Sequence, residues 1–144
     1  MIRTLGVVLV AGVLLSACGS VSGSKAMTSW VAQSGYLSSS KIVFSDAQHA
    51  ANALRKPSTS DAGLHTVCGV LLVDTESANA SLPTPDNRAS TLLSNAYTNL
   101  GAGANECYNA SSSVTARAKA IASLVRGGSD LSEASARIAS ASTP

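Results

Sequence analysis

Apolar residues recur at helical spacing in four stretches of the chain, and each stretch predicts one helix. The first is formed by Val43, Ala47, Ala50, Ala51 and Leu54, which share one face of a helix. This helix is predicted to end at Arg55 and Lys56, before Pro57. Its start is predicted at Ser45, where residues 45–48 match a capping box, or further back toward Ser38.

A shorter helix is predicted upstream of the first stretch. It contains Trp30 and Val31, extends toward Leu37, and is interrupted at Gly35.

The second stretch predicts a helix from Ser60 and Asp61 to about Asn79. Its buried face is expected to contain Leu64, Val67, Cys68, Leu71, Leu72 and Ala78, widened by Val70 and Val73. Residues 67–73, VCGVLLV, are rich in β-branched side chains, so a strand is the alternative, although hairpin signals are missing on both sides.

The third helix is predicted to start at Thr84-Pro85-Asp86, read as an N-cap, a proline at the first position and an acid in the first turn. Its apolar face contains Leu92, Leu93, Ala96, Tyr97, Leu100, Ala104 and Cys107. Gly101 and Gly103 weaken this helix and are expected to bend or break it.

The fourth stretch has Val114, Ala118, Ile121, Ala122 and Val125 on one face, and is predicted to stop at Arg126-Gly127-Gly128. A capping box at residues 130–133 then predicts a short last helix with Leu131, Ala134 and Ile138 inward. The tail from Ser140 to Pro144 is expected to be frayed.

Composition narrows the class of protein. Hydrophobic residues make up 45% of the 144-residue chain but aromatic residues only 3%, so Ala, Val and Leu must fill the core, which suits closely approaching helices. The formal net charge of +2 comes without the basic patch that a nucleic-acid-binding protein needs. The low charge and the many Ser, Thr, Asn and Gln residues resemble the composition of exported proteins of actinobacteria.

The N-terminus predicts a leader. Arg3 precedes an apolar run over residues 5–15, which is too short to span a bilayer of about 30 Å as a helix. Leu15-Ser16-Ala17-Cys18 then resembles the lipobox of bacterial lipoproteins. That resemblance implies a diacylglycerol on the thiol of Cys18 and cleavage just before it. The expected organisation is a signal peptide (1–17), a lipidated N-terminus and flexible spacer (18–28), a helical domain (29–140) and a tail (141–144).

The resemblance also predicts where the protein resides. Each buried acyl CH₂ contributes about 0.8 kcal/mol and two chains anchor stably, so the protein is expected on the extracytoplasmic face of the cell membrane, held through Cys18. Residues 68–107 look like a segment of small uncharacterised exported proteins of actinobacteria, which implies no particular activity.

Cys68 and Cys107 remain once Cys18 is assigned to lipid, and an even pair in an exported chain predicts a disulfide. A bond between the second and third helices requires an extended linker that overhangs the second helix, or a break of the third helix at its glycines. The predicted fold is therefore an all-α antiparallel bundle of about four main helices with one disulfide.

No catalytic motif is visible, and no cofactor or metal site is predicted. His49 and His65 lie on separate helices, where each could join Asp46 or Asp61 around a metal, but a surface histidine is the simpler interpretation. Other candidates also have simple structural interpretations. Asp74 and Glu76 are expected on a solvated face. Trp30 is expected in the core or as a cap of the bundle. The glycan-acceptor patterns at Asn79 and Asn109 are interpreted as chance matches.

Three functions follow as hypotheses. The first is a non-enzymatic envelope protein whose exposed helix face binds another envelope component. The alternative is a carrier of a small apolar ligand or lipid, in a cavity near residues 101–104 and 64–72. An enzyme that uses His49 or His65 is the least supported of the three.

Overall fold

The computed structural model describes residues 23–143, and this part of the chain folds into five helices with no strand. They are α1 (Gly23–Ser34), α2 (Tyr36–Arg55), α3 (Asp61–Asn79), α4 (Asn87–Tyr108) and α5 (Val114–Ser142). The all-α prediction is confirmed. The strand alternative for residues 67–73 is wrong, since these residues lie inside α3.

The four long helices form a closed antiparallel bundle. Each packs against the next in the chain, α5 also packs against α2, and the contact between α4 and α5 is the most extensive. Antiparallel order is visible where Cys68, in the first half of α3, is bonded to Cys107 at the end of α4. Likewise Tyr36, at the start of α2, lies 2.8 Å from Ser135 near the end of α5, measured between hydroxyl oxygens.

The first helix, α1, packs against α5 and α2 at one end of the bundle. Its Met27 is fully buried, and the indole N–H of Trp30 donates to the carbonyl of Ser81 in the α3–α4 linker at 3.3 Å. Gly35 separates α1 from α2 with φ of +67°, a left-handed conformation that glycine adopts readily. Helix α1 begins at Gly23, inside the segment 18–28 that was expected to be flexible, because burial of Met27 and Trp30 stabilises it.

The start of α2 at Tyr36 lies nine residues before Ser45, so the capping box at residues 45–48 does not begin the helix, and the alternative start toward Ser38 agrees with the structure to within two residues. Burial of Tyr36, which is only 2% exposed, extends the helix upstream of this capping signal. The helix ends at Arg55, as the sequence predicts.

The apolar faces predicted for α2, α3 and α4 are confirmed. All five predicted positions of α2 are buried, as are Leu64, Cys68, Leu71 and Ala78 of α3 and six of the seven predicted positions of α4. Val70 and Val73, expected to widen the face of α3, are instead 49% and 64% exposed. Among the described helices α3 contacts α2 and α4, and these two valines are not buried against either of them.

Helix α4 begins two residues later than the sequence predicts. Its N-cap is Asp86 rather than Thr84, and the carboxylate of Asp86 accepts from the backbone N–H of Ala89 at 2.7 Å. Because α4 continues through Gly101 and Gly103 to Tyr108, the linker alternative for the disulfide holds rather than a break at the glycines.

Helix α5 is the largest departure from the prediction. It continues through Gly127 and Gly128 to Ser142. The predicted helix end at residues 126–128 and the predicted capping box at residues 130–133 are therefore wrong. So is the predicted fraying of residues 140–142, which are helical. A Cβ on Gly127 would lie 2.6 Å from Cγ of Leu100, and one on Gly103 would lie 2.8 Å from Cδ2 of Leu124. Each glycine therefore accepts a leucine of the opposite helix, and this close approach of α4 and α5 compensates for the low helix propensity of glycine.

This packing buries a different face in the first half of α5 from the one predicted, whereas Leu131, Ala134 and Ile138 in the second half are buried as predicted. The buried residues are Arg117, Ala120, Leu124, Gly127, Leu131, Ala134 and Ile138. The predicted face is turned outward, with Val114 82% exposed and Val125 58% exposed. Leu124 and Gly127 fit against α4, whereas the more apolar face with Val125 does not.

Arg117 is buried, and it ties the loops together at the end of the bundle away from α1. Its guanidinium donates to the carbonyls of Lys56 at 2.8 Å, Thr59 at 2.9 Å and Ser111 at 2.6 Å. A single side chain thus holds the α2–α3 and α4–α5 loops against the start of α5, which satisfies carbonyls at both connections.

The opposite end of the α4–α5 pair contains an ion pair that makes stability depend on pH. Arg137 donates to both carboxylate oxygens of Asp86, the Nε bond measuring 3.1 Å. The Arg137 guanidinium and the Ala89 N–H lower the pKa of Asp86 from 3.8 to about 2. A carboxyl whose pKa is lower in the folded state stabilises the fold above its unfolded-state pKa, and this contribution is lost as the pH falls through the folded-state value.

We therefore expect the difference in stability between the wild type and Asp86→Ala to be constant above about pH 5 and to shrink between about pH 4 and pH 2. Denaturant unfolding followed by circular dichroism at several pH values measures it. Arg137→Gln is the control, because it retains the Asp86 N-cap and removes the ion pair. The stability difference between the wild type and Arg137→Gln should be part of the difference measured for Asp86→Ala. A difference that stays constant down to pH 2 contradicts the assignment.

Candidate functional site

An apolar groove runs between α2 and α5 and is open to solvent. In its central part, Phe44, Ala47 and Ala51 of α2 face Leu124, Val125 and Gly128 of α5 around a volume of about 420 Å³. Phe44 is 44% exposed and lies next to Gly128. Because glycine has no side chain, there is open space beside the Phe44 ring at that point. The volume lies within the range of about 300–1,000 Å³ that is usual for ligand sites.

Two smaller depressions continue the groove toward both ends. One, of about 270 Å³, shares Phe44 with the central part and reaches Lys41 and Ser135. The other, of about 260 Å³, shares Arg55 and is lined by Val114, Ala118 and Ile121. The outward apolar face of α5 therefore forms one wall of a nearly continuous groove along the bundle.

The groove is cationic at both ends and apolar in the middle. Lys41 lies at one end, and Arg55 borders the central part and the other end. Within residues 23–143 neither side chain forms an ion pair, and Arg55 donates only to the Oδ1 of Asn52 at 3.2 Å. No Asp or Glu contributes to the described walls of the three parts, so both positive charges are free to meet an anion.

A separate cleft lies between α3 and α4, beside the region where the sequence predicts a cavity. It measures about 190 Å³ and is bounded by Leu72, Thr75, Tyr97 and Gly101. Further inside, Leu64, Leu71 and Ala104 are fully buried, and Leu124 occupies the space next to Gly103. The glycines of α4 thus open a shallow surface cleft, and the interior behind it is packed.

Two hydroxyl groups near this cleft, those of Thr75 and Tyr97, are buried and have no hydrogen-bond partner among residues 23–143. Burial raises the pKa of Tyr97.

We expect Tyr97→Phe to raise the free energy of unfolding by about 1 kcal/mol, because it removes an unpaired buried hydroxyl and keeps the ring. Tyr36→Phe is the matched control and should lower it by about 1 kcal/mol, since that hydroxyl pairs with Ser135. Denaturant unfolding measures both, and equal effects would contradict the prediction.

Of the three cysteines, the two that are predicted to form a disulfide lie in the described part of the chain. Cys68 and Cys107 form the disulfide, with their Cα atoms 5.8 Å apart, and both are fully buried. Cys18, which is predicted to carry lipid, lies outside the described residues, as do the predicted lipobox and leader.

The two histidines lie on the surface, on different helices. His65 stacks on Tyr108 with ring centroids 4.1 Å apart, beside the disulfide. His49 has its Nδ1 3.9 Å from a carboxylate oxygen of Asp46. Burial and the neighbouring Asp74 carboxyl raise the pKa of Asp46. Among residues 23–143, no three His, Cys, Asp or Glu side chains converge as a metal site requires.

The remaining sequence candidates have structural roles or positions on the surface. Trp30 is half-buried and caps the bundle through its bond to Ser81. Asp74 faces α2 and contacts Asp46, whereas Glu76 is exposed, so the two carboxylates do point in different directions. Asn79 and Asn109 are exposed at the ends of α3 and α4.

The residues that form the groove were not recognised as a site from the sequence. The sequence predicts Val114, Ala118, Ile121 and Val125 as a core face and Gly128 as part of a helix end, and it assigns no role to Phe44 or Lys41. A signal was nevertheless present, because α5 contains two apolar faces and a bundle helix needs only one.

No helix within residues 23–143 combines the length and apolar character needed to cross a bilayer. Comparisons with protein-family models, with curated proteins and with solved structures give no match to this chain.

Proposed function

We propose that this chain is a lipid-anchored binding protein of the bacterial cell envelope, and that its binding surface is the groove between α2 and α5. The observation that carries the proposal is the outward apolar face of α5, which no other described part of the chain covers. A contiguous exposed apolar surface on a folded domain is characteristic of an interaction site.

The anchor follows from the lipobox at residues 15–18. Two acyl chains on Cys18 would hold the protein stably at a membrane surface. Gly23, the first residue of α1, follows Cys18 by five positions, which a chain can span by at most about 18 Å. The end of the bundle that contains α1 would then stay next to the membrane, while the groove would run away from it along α2 and α5.

Binding is favoured over catalysis by the chemistry of the groove. Its described walls are made of aliphatic and aromatic carbon, amides, hydroxyls and cationic side chains. General acid–base or nucleophilic catalysis commonly uses His, Cys, Asp or Glu side chains, and none of these lies in the described walls.

The anchor is tested with the full chain in a bacterial host that processes lipoproteins. Wild type should incorporate labelled palmitate and sediment with membranes, whereas Cys18→Ala should do neither. Ser20→Ala is the matched control in the same segment and should behave as wild type. The anchor is refuted if Cys18→Ala remains with membranes, or if the wild type takes up no label.

Binding of an envelope protein is tested in intact cells with a photo-crosslinking amino acid at Val125 in the groove or at Val73 on the opposite side of the bundle. Both valines are exposed, by 58% and 64%, so either position accepts the probe without disturbing the core. A protein adduct specific to position 125 supports a protein partner. Identical adducts at both positions, or none at either, count against it.

Carriage of a small apolar ligand is the second candidate. The favouring observation is the size of the central groove, about 420 Å³, which suits a small molecule. A stable protein interface needs about 800 Å² on each partner, more than a groove of this width offers by itself.

A further inference from the structure

We infer that the α2–α5 groove binds a single-chain anionic amphiphile, such as a long-chain fatty acid, with its chain along Phe44 and Val125 and its headgroup at Arg55. This inference rests on the second candidate function, ligand carriage, and does not depend on the anchor at Cys18.

The apolar part of the ligand is inferred from the middle of the groove. Phe44, Leu124 and Val125 present hydrocarbon on both walls, and Gly128 leaves room beneath the Phe44 ring. Phe44 and Val125 are 44% and 58% exposed, so a chain lying between them removes apolar surface from water on both sides.

The elongated shape of the ligand is inferred from the length of the groove. Lys41 and Arg55 are 14 positions apart on one helix, which corresponds to about 21 Å. The central depression shares Phe44 with one neighbouring depression and Arg55 with the other, so the three form one groove. An extended long acyl chain matches this span, whereas a compact ligand would fill the central part alone.

The negative charge is inferred from the cations at the ends. Arg55 borders two of the three depressions and has no carboxylate partner within the described part of the chain, residues 23–143. Its guanidinium can bind a carboxylate with two hydrogen bonds. Arg117 also lies in the wall beyond it and adds positive potential, although its own donors are occupied by carbonyls. We therefore place the headgroup at the Arg55 end rather than at Lys41.

The test uses the chain from residue 18 on with Cys18→Ser, since every described helix, the core and the disulfide lie within residues 23–143. Oleate, oleyl alcohol and a short-chain fatty acid are titrated, below micelle-forming concentrations, against bound cis-parinarate fluorescence. We expect oleate to displace the probe at one site per chain. The short acid should fail, and oleyl alcohol should bind about fivefold more weakly than oleate.

Three matched substitutions locate the site. Val125→Asp places a carboxylate in the apolar wall and should weaken oleate binding about tenfold or more, whereas Val73→Asp, at an equally exposed valine of α3, should leave it unchanged. Arg55→Gln should weaken oleate about fivefold and oleyl alcohol hardly at all. Circular dichroism and denaturant unfolding verify that each variant retains the fold.

The inference is overturned if oleate does not bind, if Val125→Asp and Val73→Asp weaken it equally, or if Arg55→Gln affects acid and alcohol alike. A protein adduct at position 125 in cells combined with no oleate binding would assign the groove to a protein partner. Because these measurements use a chain without the anchor, they can fail while the palmitate labelling of Cys18 succeeds, and the reverse.

Discussion

Replacing Cys68 and Cys107 together with alanine is expected to lower the free energy of unfolding by about 4 kcal/mol. The bond links residues 39 positions apart, and closing a loop of that size removes conformational entropy from the unfolded chain by about this amount. Alanine is chosen because both sites are fully buried and a serine hydroxyl would have no partner there.

Guanidinium unfolding of the variant and of the wild type, with and without reductant, measures the effect. Reduced wild type should approach the variant in stability, since both lack the loop constraint. The loss is a large share of the 5–15 kcal/mol that is usual for a domain, so the variant is expected to have a much lower midpoint. A loss below about 1 kcal/mol would show that the bond constrains the unfolded chain little.

The two adjacent glycines in the middle of α5 are expected to respond to alanine with opposite signs. At Gly127 a Cβ would lie 2.6 Å from Cγ and 2.8 Å from the backbone N of Leu100, so α4 and α5 would have to separate. We expect Gly127→Ala to lower the free energy of unfolding by about 3 kcal/mol. At Gly128 a Cβ meets only Phe44 at 4.0 Å, which is ordinary contact, so Gly128→Ala should raise it by about 0.5–1 kcal/mol through helix propensity.

The pair is its own control, because both changes add one methyl group at neighbouring positions of the same helix. Denaturant unfolding followed by circular dichroism measures the difference, expected to be about 4 kcal/mol in total. Gly103→Ala, which would place a Cβ 2.8 Å from Leu124, should resemble Gly127→Ala. Similar stabilities for the two α5 variants would contradict the close packing of α4 against α5.

These glycines also explain why part of the fold could not be predicted. A glycine pair after Arg126 is a common helix end, and local sequence contains nothing to distinguish that role from a contact point. Here Gly127 is buried against Leu100 of α4, a residue 27 positions away. The same holds at Tyr36, where tertiary burial starts α2 before its first capping signal.

The disulfide could be predicted from the sequence, whereas the candidate site could not. The disulfide followed from an even pair of cysteines, and its partners are confirmed. The groove was not predicted, because its α5 wall has the same helical spacing as a core face. Two faces of one helix, displaced by one position, both satisfy a 3.6-residue period, so spacing alone could not decide between Ile121 with Val125 and Ala120 with Leu124.

The sequence by itself determined that the described chain is helical, that four long helices pack through small and aliphatic side chains, and that Cys68 pairs with Cys107. These properties depend on local periodicity, on capping and on cysteine count, all of which can be read along the chain. Only the tertiary structure decided which face of α5 enters the core and which remains on the surface. That choice depends on the shape of α4, where Leu100 and Gly103 fit Gly127 and Leu124, and shape complementarity exists only between folded helices.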